Sequence, residues 1–311
     1  MTVGLRRYEV PASAAGERLD HHLSTVFADL SRARIQSLIE SGSVEVNGQA
    51  AKASRRLKGG EQVRVAVPPP APAAPIPQDL PVSLLYEDED IAVIDKAAGM
   101  VVHPAAGNWE GTLVNALLFR LRGLTGVGGE ARPGLVHRLD KGTSGCMVIA
   151  KHDRALKALQ AAFKARQVTK LYLAMVHGQP PEQAALRTPF GRHPVHRKRF
   201  TGRIKTGKLA ITEFVVRERL VDAALLEVLL KTGRTHQIRV HLSELGHPLL
   251  GDPVYGGLRR GTEKVRAVQR ELGRPALHAW RLQFLHPCTE IPVQFEAPIP
   301  DDFKRARNKL R

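Results

Sequence analysis

Over residues 17–30, ERLDHHLSTVFADL, apolar side chains recur at Leu19, Leu23, Val26, Phe27 and Leu30, the spacing of one helical face. A second helix is expected over RARIQSLIESG, with Ser31 as its N-cap and Gly42 just past its end. The period then drops to two. Val44 and Val46 alternate with polar residues as far as Asn47 and Gly48, a pair suited to a tight hairpin turn, and GGEQVRVAV continues as a strand. Beyond residue 81 strands dominate: DIAVIDK, CMVIAK, LYLAMVHG, ITEFVVRERL and AALLEVLLKTG. Helices are expected over GTLVNALLFRLRG, over DRALKALQAAFKARQ with Asp153 as N-cap, and over THQIRVHLSELG. The succession is irregular and hairpin-like, without a repeated βαβ unit, so the fold class expected is α+β.

Between the two patterned regions lies PPPAPAAPIPQDLP, residues 68–81, with seven prolines in fourteen positions. Proline fixes φ and removes a donor, so this segment is expected to be an extended spacer. The domains expected are therefore 1–67, a linker at 68–81, and 82–311. A chain of 311 residues that is 43% hydrophobic can bury a core in both parts and is not a disordered tail. Cys146 and Cys288 are the only cysteines, which supports neither a disulfide framework nor a cysteine-based zinc site. No apolar run is long enough to span a bilayer, and the first twenty residues lack a secretory apolar region, so a cytoplasmic location is expected.

Charge narrows the partners. The formal net charge is +17, and residues 187–208 hold eight Lys or Arg (Arg187, Arg192, Arg197, Lys198, Arg199, Arg203, Lys205, Lys208) and no acid. Evenly spread charge merely keeps a protein soluble, whereas clustering of this kind neutralises phosphates, so a nucleic acid is the expected partner. In the small domain Arg32 and Arg34 lie near a helix start, and Arg55 and Arg56 lie just past the hairpin.

Three stretches carry candidate chemistry. In GLVHRLDKGTSGCMVIAK, residues 134–151, Asp140 stands among His137, Arg138 and Lys141 before an apolar run. On these residues alone it is a salt-bridge partner, a metal ligand, a general base or a nucleophile. Neither H-E-x-x-H nor a cysteine pair supports a metal. The second stretch, LLKTGRTHQIRVHLSELG, concentrates Arg234, His236, Gln237 and Arg239 after the turn residue Gly233. The third, KLYLA, sets Tyr172 on an alternating strand.

Taken together, HRLDKGTSG, KLYLA and TGRTHQIRVH resemble the signature stretches of the RluA-type pseudouridine synthases, and VVHPAAGNWEGTLVNALL, GDPVYGG and LHAWRLQFLHP extend the likeness over nearly all of 82–300. The helix–helix–hairpin order of about residues 17–67 resembles the S4 RNA-binding module, and the combination resembles the RluD subgroup, which modifies large-subunit ribosomal RNA. The chain departs from the pattern at Lys96-Ala97-Ala98-Gly99, where the family often has Lys-Pro-x-Gly. It departs again at Gly142, where an acid is usual, and at Cys146, where a larger apolar residue is usual.

The resemblance implies a mixed, mostly antiparallel sheet with flanking helices behind an S4-like domain. It also implies isomerisation of uridine within RNA, with no cofactor and no metal. Asp140 is then the essential carboxylate, attacking covalently or first removing a ribose proton. Arg239 is its salt-bridge partner, favouring the charged carboxylate. Tyr172 stacks on the base and helps remove the C5 proton. Arg138 holds the extruded position, and His137, Arg234, His236 and Gln237 contact RNA. Arg197, Lys198 and Arg199 are expected to clamp phosphates, and the S4-like domain to raise effective concentration. A monomer acting on ribosomal RNA, without membrane or small-molecule partner, completes the expectation. The rivals are a non-catalytic RNA-binding or ribosome-assembly protein and a synthase of the same family acting on tRNA.

Overall fold

The two periods of the chain become helices and strands in two separate units, Met1–Pro72 and Ala73–Arg311. The computed structural model describes residues 4–67, 74–105, 108–129, 132–196, 199–256 and 260–311. In the first unit β1 (Gly4–Glu9) is followed by α1 (Leu19–Val26), α2 (Arg32–Glu40), β2 (Val44–Val46), β3 (Gln49–Ala50) and β4 (Gln62–Val67). The sheet order is β1-β4-β2-β3. The Ser31 side chain accepts from Arg34 N, capping α2 as expected. Asn47 and Gly48 both adopt positive φ (53° and 76°), as a two-residue hairpin turn of the mirror-image type requires. Leu19, Leu23, Ile35 and Leu38 from the helices close on Val44, Val46, Val63 and Val65 from the sheet. Strand β1 carries no such signal, because none of its residues is fully buried.

The second unit continues with β5 (Ser83–Glu87), β6 (Ile91–Lys96), α3 (Leu113–Arg120), β7 (Ser144–Ala150), α4 (Asp153–Lys164), β8 (Thr169–His177), β9 (Gln183–Arg192) and β10 (Phe200–Thr201). It ends with β11 (Lys208–Leu220), β12 (Ala223–Leu230), α5 (Gln237–Glu244), α6 (Glu263–Leu272), β13 (Leu277–Leu285), β14 (Pro292–Glu296) and α7 (Asp301–Leu310). The sheet runs β10-β9-β11-β12-β8-β13-β7-β6-β5, with β14 added to β13. The β7–β13 pair is parallel and the other pairs are antiparallel, so the sheet is mixed and the fold is α+β.

Strands β6 and β7 are apolar on both faces because both faces are covered. Leu113 and Leu117 of α3 and Ile238 and Leu242 of α5 share one core with Ile94, Met147 and Ile149. Leu156 and Leu159 of α4 pack with Val93 and Val148 on the other side. Residues of α6 and α7, Val265, Val268 and Phe303, join Leu173 and Met175 of β8 and Leu225 of β12. Gly145 is required where β7 meets β13: its φ is 116°, and a Cβ there would lie 2.2 Å from the Ala279 carbonyl oxygen.

Three sequence expectations change. The N-cap of α4 is His152, whose side chain accepts from Ala155 N; Asp153 instead takes Gly128 N. Ile76 O accepts from the Asn115 side chain, and Gln78 bonds to Gly111 N and Asn115 O. The second half of the proline-rich segment is thus pinned to the start of α3 and is no free spacer, while residues 68–73 lie outside the described part. Helices α6 and α7 and strands β5, β9, β13 and β14 were not expected as elements. Strand β9 is mostly exposed and contains Pro189, so no apolar run marks it.

Candidate active site

The turn that carries Asp140 is built before β7 and fastened from beneath. Thr143 N bonds Asp140 O at 3.0 Å, and Gly99 N bonds Lys141 O at 2.7 Å. The fully buried Lys96 places its ammonium on the carbonyls of Ala97, Met100 and Lys141 at 2.7, 2.9 and 3.4 Å. Burial pulls the Lys96 pKa down to about 8, with the charge of Asp140 acting the other way.

Arg239 comes to this turn from the first turn of α5. Its Nε and Nη2 grip Asp252 at 2.7 and 3.0 Å, and its Nη1 reaches Asp140 Oδ2 at 3.1 Å. Asp252 is fully buried and also accepts from Val254 N and Tyr255 N, so it fixes the guanidinium plane. Burial alone would raise the Asp252 pKa; the Arg239 bonds outweigh it and hold the carboxyl below its ordinary range. The Asp140 side chain keeps 21% of its surface exposed, and Oδ1 takes no hydrogen bond from any described residue.

Asp140 opens on a cavity of about 450 Å³, lined also by Tyr172, Phe163, Lys170, Thr232, Arg234 and Leu277. The volume suits a single nucleoside-sized ligand, within the range of ~300–1,000 Å³ for small-molecule sites. Tyr172 is buried beneath it, and its hydroxyl has no hydrogen-bond partner among the described residues. Burial and the nearby Asp140 charge both push its pKa up. The species present is therefore the neutral phenol, which disfavours the phenolate needed to take the C5 proton directly. The buried Thr143 hydroxyl, also in the cavity wall, has no partner among the described residues.

The structure sorts the other expected site residues. Arg138 is exposed at the cavity, with no hydrogen bond from its side chain to any described residue. Arg234 is half-buried, its Nε 3.4 Å from Leu209 O. His236 takes left-handed backbone (φ 61°), bonds Tyr255 Oη through Nδ1 at 3.1 Å, and has Nε2 3.9 Å from Asp140 Oδ2. His137 lines the cavity as a neutral ring: its Nε2 accepts from Val148 N, it stacks on Phe163, and burial lowers its pKa to about 3. Gln237 is corrected. It is 2% exposed, and its amide is saturated by Thr232 Oγ1, Arg234 N, Ile211 O and Thr212 Oγ1. It shapes the turn and has nothing left for RNA.

The expected phosphate clamp also changes. Arg197 and Lys198 lie outside the described residues. Arg199 donates to Val254 O and lies 5.3 Å from the Tyr255 ring centroid, opposing the role of a free cation. In the small unit, Arg32 is tied to the buried Asp20 and Arg55 to the buried Glu61, so both brace the fold. Arg56 donates to Gly16 O, and Arg34 is half-buried, with no side-chain bond to a described residue. Sequence reasoning missed Tyr255, which Arg199 and Arg239 both face and which donates or accepts at His236; only its place in GDPVYGG pointed there.

One cluster away from the cavity has metal-like composition. Asp88, Asp90, His152, His286 and Cys288 converge from three separate stretches. Yet His152 Nδ1 accepts from Ala155 N, and His286 Nδ1 accepts from Cys288 N and Thr289 N. Each ring must therefore carry its proton on Nε2, where it donates to Asp90 and Asp88 at 2.7 and 3.0 Å. A metal would have to displace those protons from rings whose other nitrogen is already an acceptor. The arrangement fits a hydrogen-bonded clasp that joins the β5–β6 turn to α4 and β13.

Comparison with known proteins places the chain in a family. Residues 90–244 match the model of the RNA pseudouridylate synthase family, and residues 17–63 match the S4 domain. The chain is 45% identical to the ribosomal large subunit pseudouridine synthase D of Xanthomonas campestris pv. campestris, over 99% of this chain and 93% of that protein. It is 44% identical to the protein of the same name from Xylella fastidiosa, over 98% and 92% of the two chains. Among solved structures it is similar to human RNA pseudouridylate synthase domain containing 4, at 26% identity and a TM-score of 0.59 over 73% of this chain and 92% of that one. With an S4 domain ahead of the matched synthase region, the chain belongs to the RNA pseudouridylate synthase family and is an isomerase.

Proposed function

We propose that this enzyme converts uridine to pseudouridine in large-subunit ribosomal RNA, and that Asp140 is the residue on which the reaction depends. The names of the relatives from Xanthomonas and Xylella support the substrate. One observation carries the assignment of the residue: Asp140 is the carboxylate whose free oxygen faces the cavity, while Asp252, on the same guanidinium, is sealed behind it.

The isomerisation breaks the N1–C1′ bond, turns the base, forms C5–C1′, and moves the C5 proton off while N1 regains one. No electrons are gained or lost overall. Asp140 Oδ1 is the group available to attack C1′ or to take a ribose proton, and Oδ2 stays on Arg239. Arg239 fixes the carboxylate in direction through Nη1, a positioning role that Asp252 transmits. Tyr172 supplies an apolar ring for the base and a hydroxyl able to hydrogen-bond it as the neutral phenol. The exposed Arg138 is the residue at the mouth suited to holding the place an extruded base leaves.

The test is Asp140→Asn assayed on precursor large-subunit RNA. Loss of pseudouridine formation with RNA affinity kept within a few-fold is expected. Substantial conversion in a single turnover would overturn the assignment of Asp140.

A further inference from the structure

Lys170 is a cation for which the chemistry above has no use. On β8, residues two apart share a face, so Lys170 and Tyr172 point the same way and both line the cavity. Lys170 is 8% exposed. Its ammonium has no carboxylate or carbonyl partner among the described residues. The neighbour it does have is the Phe163 ring, with Nζ 5.4 Å from the centroid, and that ring is stacked on neutral His137.

The contrast with Lys96 is informative. Both lysines are buried, yet Lys96 places its ammonium on three carbonyls. The Lys170 stem is buried, but its ammonium is not among the sealed, partnerless polar atoms and opens on the cavity, where a charge with no protein partner is free to take one from outside. Burial also lowers the Lys170 pKa. An anion entering the cavity would meet this ammonium directly. Lys164 and Arg166, both exposed and without ion pairs among the described residues, line the same wall. Uracil and ribose are neutral; the anion that a nucleotide brings is its phosphodiester.

Resting on the reading that the substrate is RNA, we propose that Lys170 binds a phosphodiester of the nucleotide seated in the cavity, with Lys164 and Arg166 receiving the next phosphates along the same wall. The aromatic backing of Phe163 keeps the ammonium aimed inward, and a phosphate completes its coordination.

The experiment is a double-mutant cycle between protein and RNA. The full-length protein and its Lys170→Met and Lys170→Arg variants are titrated with a large-subunit RNA fragment that the wild type isomerises. The same fragment is prepared with a neutral methylphosphonate at the 5′ or the 3′ phosphate of the target uridine. Lys170→Met is expected to weaken binding of the natural RNA about tenfold, and of one of the two neutralised RNAs less than about twofold. Lys170→Arg should stay within about threefold of wild type, since it keeps the charge. An equal Lys170→Met loss on all three RNAs, no loss at all, or an Arg variant as weak as Met would overturn the phosphate contact. If Lys170→Met does not fold, the Lys164→Ala/Arg166→Ala variant is put through the same cycle with the neighbouring phosphates neutralised, under the same criteria. A wild type that isomerises no RNA would refute the functional reading itself; an active wild type with a flat cycle sinks the Lys170 proposal alone.

Discussion

Asp20 in the first unit and Asp140 in the second are both carboxylates held by arginine, and the difference between them separates a brace from a group open to a cavity. Asp20 is completely buried and accepts from Arg18, Arg32 and Gln36, with Gln36 Nε2 at 2.6 Å. The Arg18 bond leads the effects that hold its pKa well below the ordinary carboxylate range, against the cost of burial. Asp140 has one close guanidinium nitrogen at 3.1 Å and an oxygen left open to a cavity. An arginine partner is common to both. What distinguishes Asp140 is an unsatisfied oxygen facing space large enough for a nucleoside, and neither property is written in the local sequence.

The largest effect that tests this contrast is on rate. Asp140→Asn should lower single-turnover isomerisation by about a thousandfold or more, whereas Asp20→Asn should leave the rate at saturating RNA within about threefold. Next comes Asp252, which shares a guanidinium with Asp140 but not its exposure. Asp252→Asn leaves Arg239 under-paired in a buried site and should cost about 3 kcal/mol of stability in denaturant unfolding, with a loss of rate as Arg239 loses its fixed direction.

A smaller effect belongs to Asp20 itself. Asp20→Asn should lower the free energy of opening of α1 and α2 by about 2 kcal/mol, read from amide hydrogen exchange in the full chain. Because the folded pKa of Asp20 is depressed, its contribution is fully present above the unfolded value of about 3.9. It fades as the pH falls below that value toward the folded pKa. The wild-type unit should therefore lose protection on acidification below pH ~4, and the Asn variant should lose less over the same interval. The smallest effect is at Thr143, whose buried hydroxyl has no partner among the described residues. Thr143→Val should raise stability by about 1 kcal/mol, and a drop of similar size would show that the hydroxyl is satisfied in solution.

The candidate site residues were named through the resemblance of three short stretches to a family, since on the residues alone the role of Asp140 stayed open. HRLD, KLYLA and HQIR each place a functional group within a few residues of an apolar run, and the structure gathers Asp140, Tyr172 and Arg239 around one cavity. Spacing could not show which polar atoms are already spent. Gln237 lies in the richest stretch, yet its amide is saturated by partners from residues 211, 212, 232 and 234. Arg199 stands in the most basic segment and is held against Tyr255, 55 positions away from the Val254 carbonyl it reaches. Lys96 was noted only as part of a departing motif, although it fastens a turn 45 residues on. In the fold, the half-buried helices and the apolar strands were readable. The exposed strands β1 and β9 were not, since they owe their conformation to pairing with neighbours and bury little themselves.

The central claim is that the open oxygen of Asp140 is the reacting group and that its cationic surroundings only hold it. It is tested most directly by measuring RNA binding and pseudouridine formation in the same samples, for wild type, Asp140→Asn and Asp20→Asn, at RNA concentrations that saturate each protein. The account predicts full occupancy in all three, with product formed by wild type and Asp20→Asn and none above background for Asp140→Asn. Product from RNA-saturated Asp140→Asn at a rate near that of wild type would contradict it.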